Sequence, residues 1–285
     1  MKGGESMKCF ADLHIHSTAS DGILTPIQVI QAAQAQNLSY ISIADHDTML
    51  GVKELSNYLK TNQSPVKLIP AVEISADYYD EEIHILGYFA RDHHQELEFA
   101  LDELNQLRNQ RIDKILEKLA LNGIYISRHE VEQHSKIGTL GRPHIAKEMI
   151  QQGYVNTVGE AFERYLARGK PAYVRREKMD PSGAIDLIKS CNGVAVWAHP
   201  GITKRPEEAI DMLLAYEIDG VELYHPYHTI NFEIEWRSIL EKNNLLITGG
   251  SDFHDFHDPP AIMGVKGISC SQVEKMHNLL AVKSL

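Results

Sequence analysis

The chain of 285 residues is 43% hydrophobic and 24% charged, which excludes wholesale disorder and fits one large α/β domain or a barrel with an insert. A formal charge of −11 excludes a protein that coats long duplex nucleic acid through a broad basic surface, yet permits a small anionic substrate at a locally positive site. Cys9, Cys191 and Cys270 lack metal-type spacing and are expected as reduced thiols, and no leader pattern or bilayer-length apolar run occurs, so a cytoplasmic protein without membrane contact is expected.

In chain order, residues 12–16 end the first predicted strand. Thr25 is a predicted N-cap, with Pro26 at the first helical position and Gln28 at the third, opening a helix that stops near Asn37. Residues 40–44 read as a buried strand, 52–59 as a helix, and 67–74 and 83–89 as two more strands. Leu97, Leu101, Leu104, Leu107, Ile112, Ile115 and Leu119 recur at helical spacing, predicting one long helix over residues 95–121 that Asn122 and Gly123 end. Shorter helices follow over residues 143–152 and 158–167.

The alternation of strand and helix resumes near Ala184. Strands over residues 194–198, 220–223 and 245–248 are separated by helices over 207–216 and 230–241. Seven strand-plus-helix units suit a distorted seven-stranded (β/α)7 barrel built from residues 8–99 and 179–285, with residues 100–178 as a helical insert domain over the active site.

In a parallel barrel the catalytic face lies where strands end. His14 and His16 end the first strand, Asp45, His46 and Asp47 follow the second, and Glu73 ends the third. His84 lies on the fourth, His199 follows the fifth, and Asp252 and His254 follow the seventh. Two residues apart on an extended strand, His14 and His16 point the same way and can share a metal ion. One His-x-His pair does not establish such a site, but acids and histidines at equivalent strand ends weaken the accidental reading. Ala44-Asp45-His46-Asp47 admits a capped turn as well as a metal-binding His46 oriented by a flanking Asp. Glu73 stands in an apolar run, where an unpaired carboxylate is costly, so it requires a cation or a hydrogen-bond donor.

Asp12-Leu13-His14-Ile15-His16-Ser17, Ala44-Asp45-His46-Asp47, Glu73, His84, Trp197-Ala198-His199-Pro200 and Gly250-Ser251-Asp252-Phe253-His254 together resemble the PHP (polymerase and histidinol phosphatase) family of metal-dependent phosphoesterases. The resemblance spans nearly the whole chain. It implies a first metal at His14, His16, Glu73 and Asp252, and a second at Glu73, His84 and His199. A third would use His46 and His254 with Asp21, which stands where some members have a histidine. Asp45, Glu73 and Asp252 are the expected catalytic carboxylates. The mixed imidazole and carboxylate set suits two or three Mn²⁺, Fe²⁺ or Zn²⁺ ions per chain, with a metal-activated hydroxide as nucleophile.

Between Arg142 and Lys178, eight Lys or Arg against four Glu give a local charge of +4. Most such charges belong to solvated helix faces, but Arg142 and Lys170 adjoin Gly and Pro breaks from which a side chain can be aimed. One barrel, a helical insert and Arg142-Pro143-His144-Ile145-Ala146 resemble the subgroup that removes the 3′-phosphate of nucleoside 3′,5′-bisphosphates and trims short RNA from its 5′ end. The resemblance implies a small phosphorylated nucleotide or short 5′-phosphorylated RNA as substrate, with Arg142 or Lys170 gripping the non-reacting phosphate. His225 and His228, after the sixth strand, are expected to touch the nucleoside. His93, His94, His129, His134, His257 and His277 are expected at the surface. The competing readings are a small phosphomonoester phosphatase of the histidinol-phosphatase type and a non-enzymatic, metal-bound interaction module.

Overall fold

The computed structural model describes residues 9–79, 81–134, 140–174, 179–255 and 262–284, and of Arg108 only the main chain. His257 and Lys178 lie outside the described residues. The predicted capping box forms at Thr25: its hydroxyl accepts from the Gln28 amide, the Gln28 side chain returns to the Thr25 amide, and α1 (Pro26–Ala35) begins there.

Two sheets carry the fold. The first orders β3 (Lys67–Leu68), β2 (Tyr40–Ile43), β1 (Phe10–Ile15) and β9 (Ile268–Ser269). The second orders β4 (Ala71–Tyr78), β5 (Glu81–Tyr88), β6 (Val194–Trp197), β7 (Gly220–Tyr224) and β8 (Leu246–Gly249). Helices α2 (Leu50–Leu59), α7 (Pro181–Ser190), α8 (Pro206–Ala215) and α9 (Ile230–Lys242) connect them, and α10 (Cys270–Lys283) closes the described chain.

The structure differs from the seven parallel units expected. The strand predicted over residues 67–74 is two strands in different sheets, because Pro70 has no amide proton to carry a ladder through. A short hairpin joins β4 to β5, so β5 runs antiparallel to β4 and also to β6. The pair β9 and α10 was not foreseen; among the described residues there are nine strands. Where the sheets meet, the links are isolated bridges, Ile15 to Phe253 and His46 to Glu73, not a continuous ladder. Among the described residues, no helix is long and apolar enough to cross a membrane.

The long helix α3 (Gln95–Leu121) has the predicted bounds. Leu97, Leu101 and Leu104 on its first half join the main core, whereas Ile112, Ile115 and Leu119 join a second core. That second core is completed by Val131, Ile145, Met149 and Leu166 from α4 (Arg128–Glu132), α5 (Arg142–Gln151) and the stretch after α6 (Val158–Ala161). The helix predicted over residues 158–167 is α6 followed by a π-helical turn, Phe162–Leu166.

The expectation of three reduced thiols is corrected for two of them. Cys9 before β1 and Cys270 at the start of α10 are joined as a disulfide, because the antiparallel pairing of β9 with β1 brings their Cα atoms to 5.5 Å; Cys191 is free and buried.

Candidate metal centre

Strand alternation turns His14 and His16 to one side of β1, and their Nε2 atoms stand 3.2 Å apart. Glu73, two residues into the buried strand β4, lies between them and three other imidazoles. Its Oε1 is 3.4 Å from His14 Nε2, 2.8 Å from His84 Nδ1 and 3.1 Å from His199 Nε2. Its Oε2 is 3.3 Å from His16 Nε2 and 2.9 Å from His46 Nδ1. Asp252 closes the group, with Oδ1 at 3.3 Å from His14 Nε2 and 3.1 Å from His16 Nε2.

His84 reaches this end because β5 is antiparallel. Its residue pairs with Ser75 near the carboxyl half of β4, so an early position on β5 lies level with the ends of the parallel strands. Glu82 Oε1 stands 3.2 Å from His84 Nε2, leaving Nδ1 to face Glu73. His199 and Asp252 take left-handed backbone angles, φ 33° and φ 50°. Such a conformation in a non-glycine residue costs on the order of 1–3 kcal/mol and persists where the surroundings impose it, often at functional sites.

A second group lies on loops beside the first. Asp21 Oδ1 is 3.3 Å from His254 Nε2 and 3.7 Å from His16 Nδ1, and its Oδ2 is 3.9 Å from His46 Nε2. His254 donates Nδ1–H to the Asp252 carbonyl at 2.9 Å, which leaves Nε2 to face Asp21.

Three donor groups therefore converge within metal-binding range: His14, His16 and Glu73; His46, Glu73 and His84; and His16, Asp21, His46 and His254. All nine residues expected as ligands meet in one place. The expected partition differs in two respects: His46 faces Glu73 through Nδ1 as well as Asp21 through Nε2, and His16 joins the group of Asp21, His46 and His254. Asp21 Oδ1, His46 Nδ1 and Glu73 Oε2 are buried without a hydrogen-bond partner. Orphaned atoms of this kind, among imidazoles and carboxylates, fit divalent cations.

The electrostatics agree. Burial would raise the Glu73 carboxyl, but His84, His46 and His14 hold it well below the usual range. Burial likewise opposes charge on His84, and Glu73 nonetheless pushes it up to about 10. His254 is driven to about 10 against its burial by Asp21 and Asp252. The carboxylates thus demand positive charge from whatever occupies the centre.

Asp45, expected among the catalytic carboxylates, is turned away from the centre. Its oxygens accept from the Ser17 amide and from the Ser17 and Ser20 hydroxyls, each at 2.7 Å, so it braces the loop that carries Asp21. His225 is buried with Nε2 at 3.3 Å from Asp252 Oδ2, so it backs Asp252 from within the fold. His228 is also buried: it donates Nδ1–H to the Leu223 carbonyl and accepts from the Gly201 amide, and burial lowers it to about 4. Those bonds occupy both ring nitrogens, which corrects its expected contact with substrate.

In the insert, Arg142 opens α5, with Nη1 at 3.2 Å from the Leu166 carbonyl and the guanidinium over the Phe162 ring. Lys170 is exposed in a turn closed by its own amide on the Ala167 carbonyl. Asn105 on α3 donates to the Asp47 carbonyl at 2.9 Å, tying that helix to the loop of His46. His93, His129 and His277 are exposed as expected, His94 is half-buried, and His134 departs from expectation by pairing at 2.6 Å with the buried Glu148.

Glu222 was missed. It lies on β7 in an apolar run, fully buried, with its carboxylate 3.1 and 3.2 Å from His14 Nδ1. The signal that singled out Glu73, a carboxylate at an apolar strand position, was present in Gly220-Val221-Glu222-Leu223 and would have found it.

The PHP domain model matches residues 12–223. The chain is 36% identical over 247 residues to a 5′-3′ exoribonuclease of Haemophilus influenzae, covering 85% of this chain and 89% of that one. It is 27% identical over 250 residues to a 3′,5′-nucleoside bisphosphate phosphatase of Chromobacterium violaceum, covering 85% and 86%. A solved structure from Bifidobacterium adolescentis superposes with a TM-score of 0.84 at 26% identity, over 94% of this chain and 96% of that one.

Proposed function

The chain belongs to the PHP family of metal-dependent phosphoesterases, and from that premise we propose that it hydrolyses the 3′-phosphoester of nucleoside 3′,5′-bisphosphates and of short 5′-phosphorylated RNA. The observation that carries this reading is Glu73, a buried carboxylate shared by five imidazoles and backed by Asp252 and Asp21. His14, His16, Glu73 and Asp252 would hold one divalent ion, Glu73, His84 and His199 a second, and Asp21, His46 and His254 a third. Mn²⁺, Fe²⁺ or Zn²⁺ suits these donors, and when bound would supply Lewis acidity to the phosphoryl group and acidify a water nucleophile.

The protein's own contribution is positioning. Strands hold His14, Glu73 and His84, and the left-handed turns at His199 and Asp252 aim side chains that an extended chain would turn away. The helical segment that carries Arg142 and Lys170 would receive the second phosphate. Arg142 is suited to that task because Leu166 and Phe162 immobilise its guanidinium while engaging one of its five N–H groups, and Lys170 stands free of fixed geometry as a point charge. One relative is named for nucleoside 3′,5′-bisphosphates, which carry two phosphates, and the other for 5′-3′ exoribonuclease action.

Phosphate release from a nucleoside 3′,5′-bisphosphate and from the matching 3′-monophosphate tests the reading. The bisphosphate is expected to react faster, and Arg142→Ala to reduce kcat/KM for it by roughly ten- to a thousandfold while leaving the monophosphate nearly unchanged. Equal rates on the two substrates, or preference for a small phosphomonoester such as histidinol phosphate, would overturn it.

A further inference from the structure

We propose that Glu222 is the positioning residue that sets His14 and His199 together, so that the two inner ion positions form as one unit. The proposal rests on the reading of the centre as a divalent-ion site. Alternation along β7 sends Val221 and Leu223 into the main core and turns Glu222 to the opposite side, toward His14. Its first contact sets a tautomer. An ionised carboxylate only accepts, so the proton shared with His14 sits on Nδ1 and the lone pair sits on Nε2, the atom facing His16, Glu73 and Asp252.

Its second contact sets a backbone. Glu222 Oε2 accepts from the His199 amide at 2.9 Å. That bond holds the left-handed residue from which the imidazole reaches Glu73 Oε1. One carboxylate therefore aims a donor of the first ion position through its ring and a donor of the second through its main chain. Charge points the same way. Two divalent ions bring four positive charges, Glu73 and Asp252 return two negative ones, and Glu222 adds a third without occupying a coordination position.

The test uses Glu222→Gln, which keeps the shape and one acceptor, and Glu222→Ala, which removes both contacts. Each full-length protein is stripped with chelator and titrated with Mn²⁺ alone, free Mn²⁺ being read by electron paramagnetic resonance, with circular dichroism and thermal melting of the stripped forms alongside. Glu222→Gln is expected to fold, and its half-saturation for the two tightest ions to rise together by about ten- to a hundredfold, the usual cost of losing a partner behind a ligand. Asp21→Asn, in the same titration, should weaken one ion only. A Glu222→Gln curve within threefold of the parent, a shift in only one of the two ions, or failure of Glu222→Gln to fold would each overturn the proposal. If the parent protein itself binds no Mn²⁺, the reading of the centre falls first; if the parent binds and the variant is unchanged, only the role of Glu222 falls.

Discussion

The inner and outer halves of the centre are built from the same residue types on different supports. His14 and Glu73 stand on strands and His16 directly follows one, all with side chains 0–1% exposed, whereas Asp21, His46 and His254 lie outside the strands at 16, 13 and 27%. Ladder hydrogen bonds fix the first set. The second is fixed by cross-ties: Asp45 to Ser17 and Ser20, His254 to the Asp252 carbonyl, and Asn105 to the Asp47 carbonyl. A donor set held by the sheet should bind tightly and set the reaction, and one held by loops should bind more weakly and exchange.

The largest expected effect ignores the distinction. Chelation sufficient to strip all ions should abolish phosphate release, and added Mn²⁺ should restore it, because the serines within the motifs, Ser17 and Ser251, are buried and Ser17 is held by Asp45. Full activity after verified metal removal would exclude the proposed chemistry.

The comparison is tested directly by matched substitutions. His14→Ala, in the strand-held set, should lower turnover by at least about a hundredfold, and so should Asp252→Asn, whose carboxylate faces both His14 and His16 from a loop, while circular dichroism stays that of the parent. Asn tolerates the left-handed backbone at position 252, so the loss there reports donor chemistry and not refolding. Asp21→Asn, in the outer half, should cost roughly tenfold, and excess Mn²⁺ should recover much of it. If the inner variants proved milder than the outer one, the ranking by support would be wrong.

A separate effect, on stability and not on turnover, concerns His228 behind the centre. His228 is held neutral at about 4 in the folded protein against an ordinary value near 6.5, so protonation favours the unfolded chain as pH falls through that window. Its contribution is absent above about pH 6.5 and grows to an order of ~3 kcal/mol of lost stability by pH 4. Urea unfolding at a series of pH values should show a shallower decline for His228→Gln than for the parent across that range. Identical slopes would mean that His228 is not the group responsible.

The placement of the donors was legible because each lies where a local rule operates. His14 and His16 share a strand face, Glu73 breaks an apolar run, and Asp252 and His254 follow a Gly-Gly pair that permits close approach: a Cβ at Gly250 would lie 2.4 Å from the His14 Cβ. Glu222 obeyed the rule applied to Glu73 and was passed over because the sixth strand was read for its terminal histidines. The burial of those histidines has a physical reason. Whether an imidazole faces solvent or the backbone of another loop depends on the turn after β7, and His228 lies beneath Gly201 of a loop distant in sequence.

The sequence by itself determined the strand and helix alternation over most of the chain, the bounds of α3, the capping box of α1 and the nine residues that gather at the centre. Periodicity, capping and the cost of burying a carboxylate are short-range facts, and residue order carries them. Only the tertiary structure decided the direction of β5, the division of one predicted strand between two sheets, the β9–α10 closure with its Cys9–Cys270 link, and the turning of Asp45 toward Ser17 and Ser20. It also joined Glu222 to His14 across 208 positions of sequence. Pairing partners of a strand are set by which apolar faces and backbone donors remain unsatisfied once neighbouring elements have packed, and that competition is resolved in space rather than along the chain.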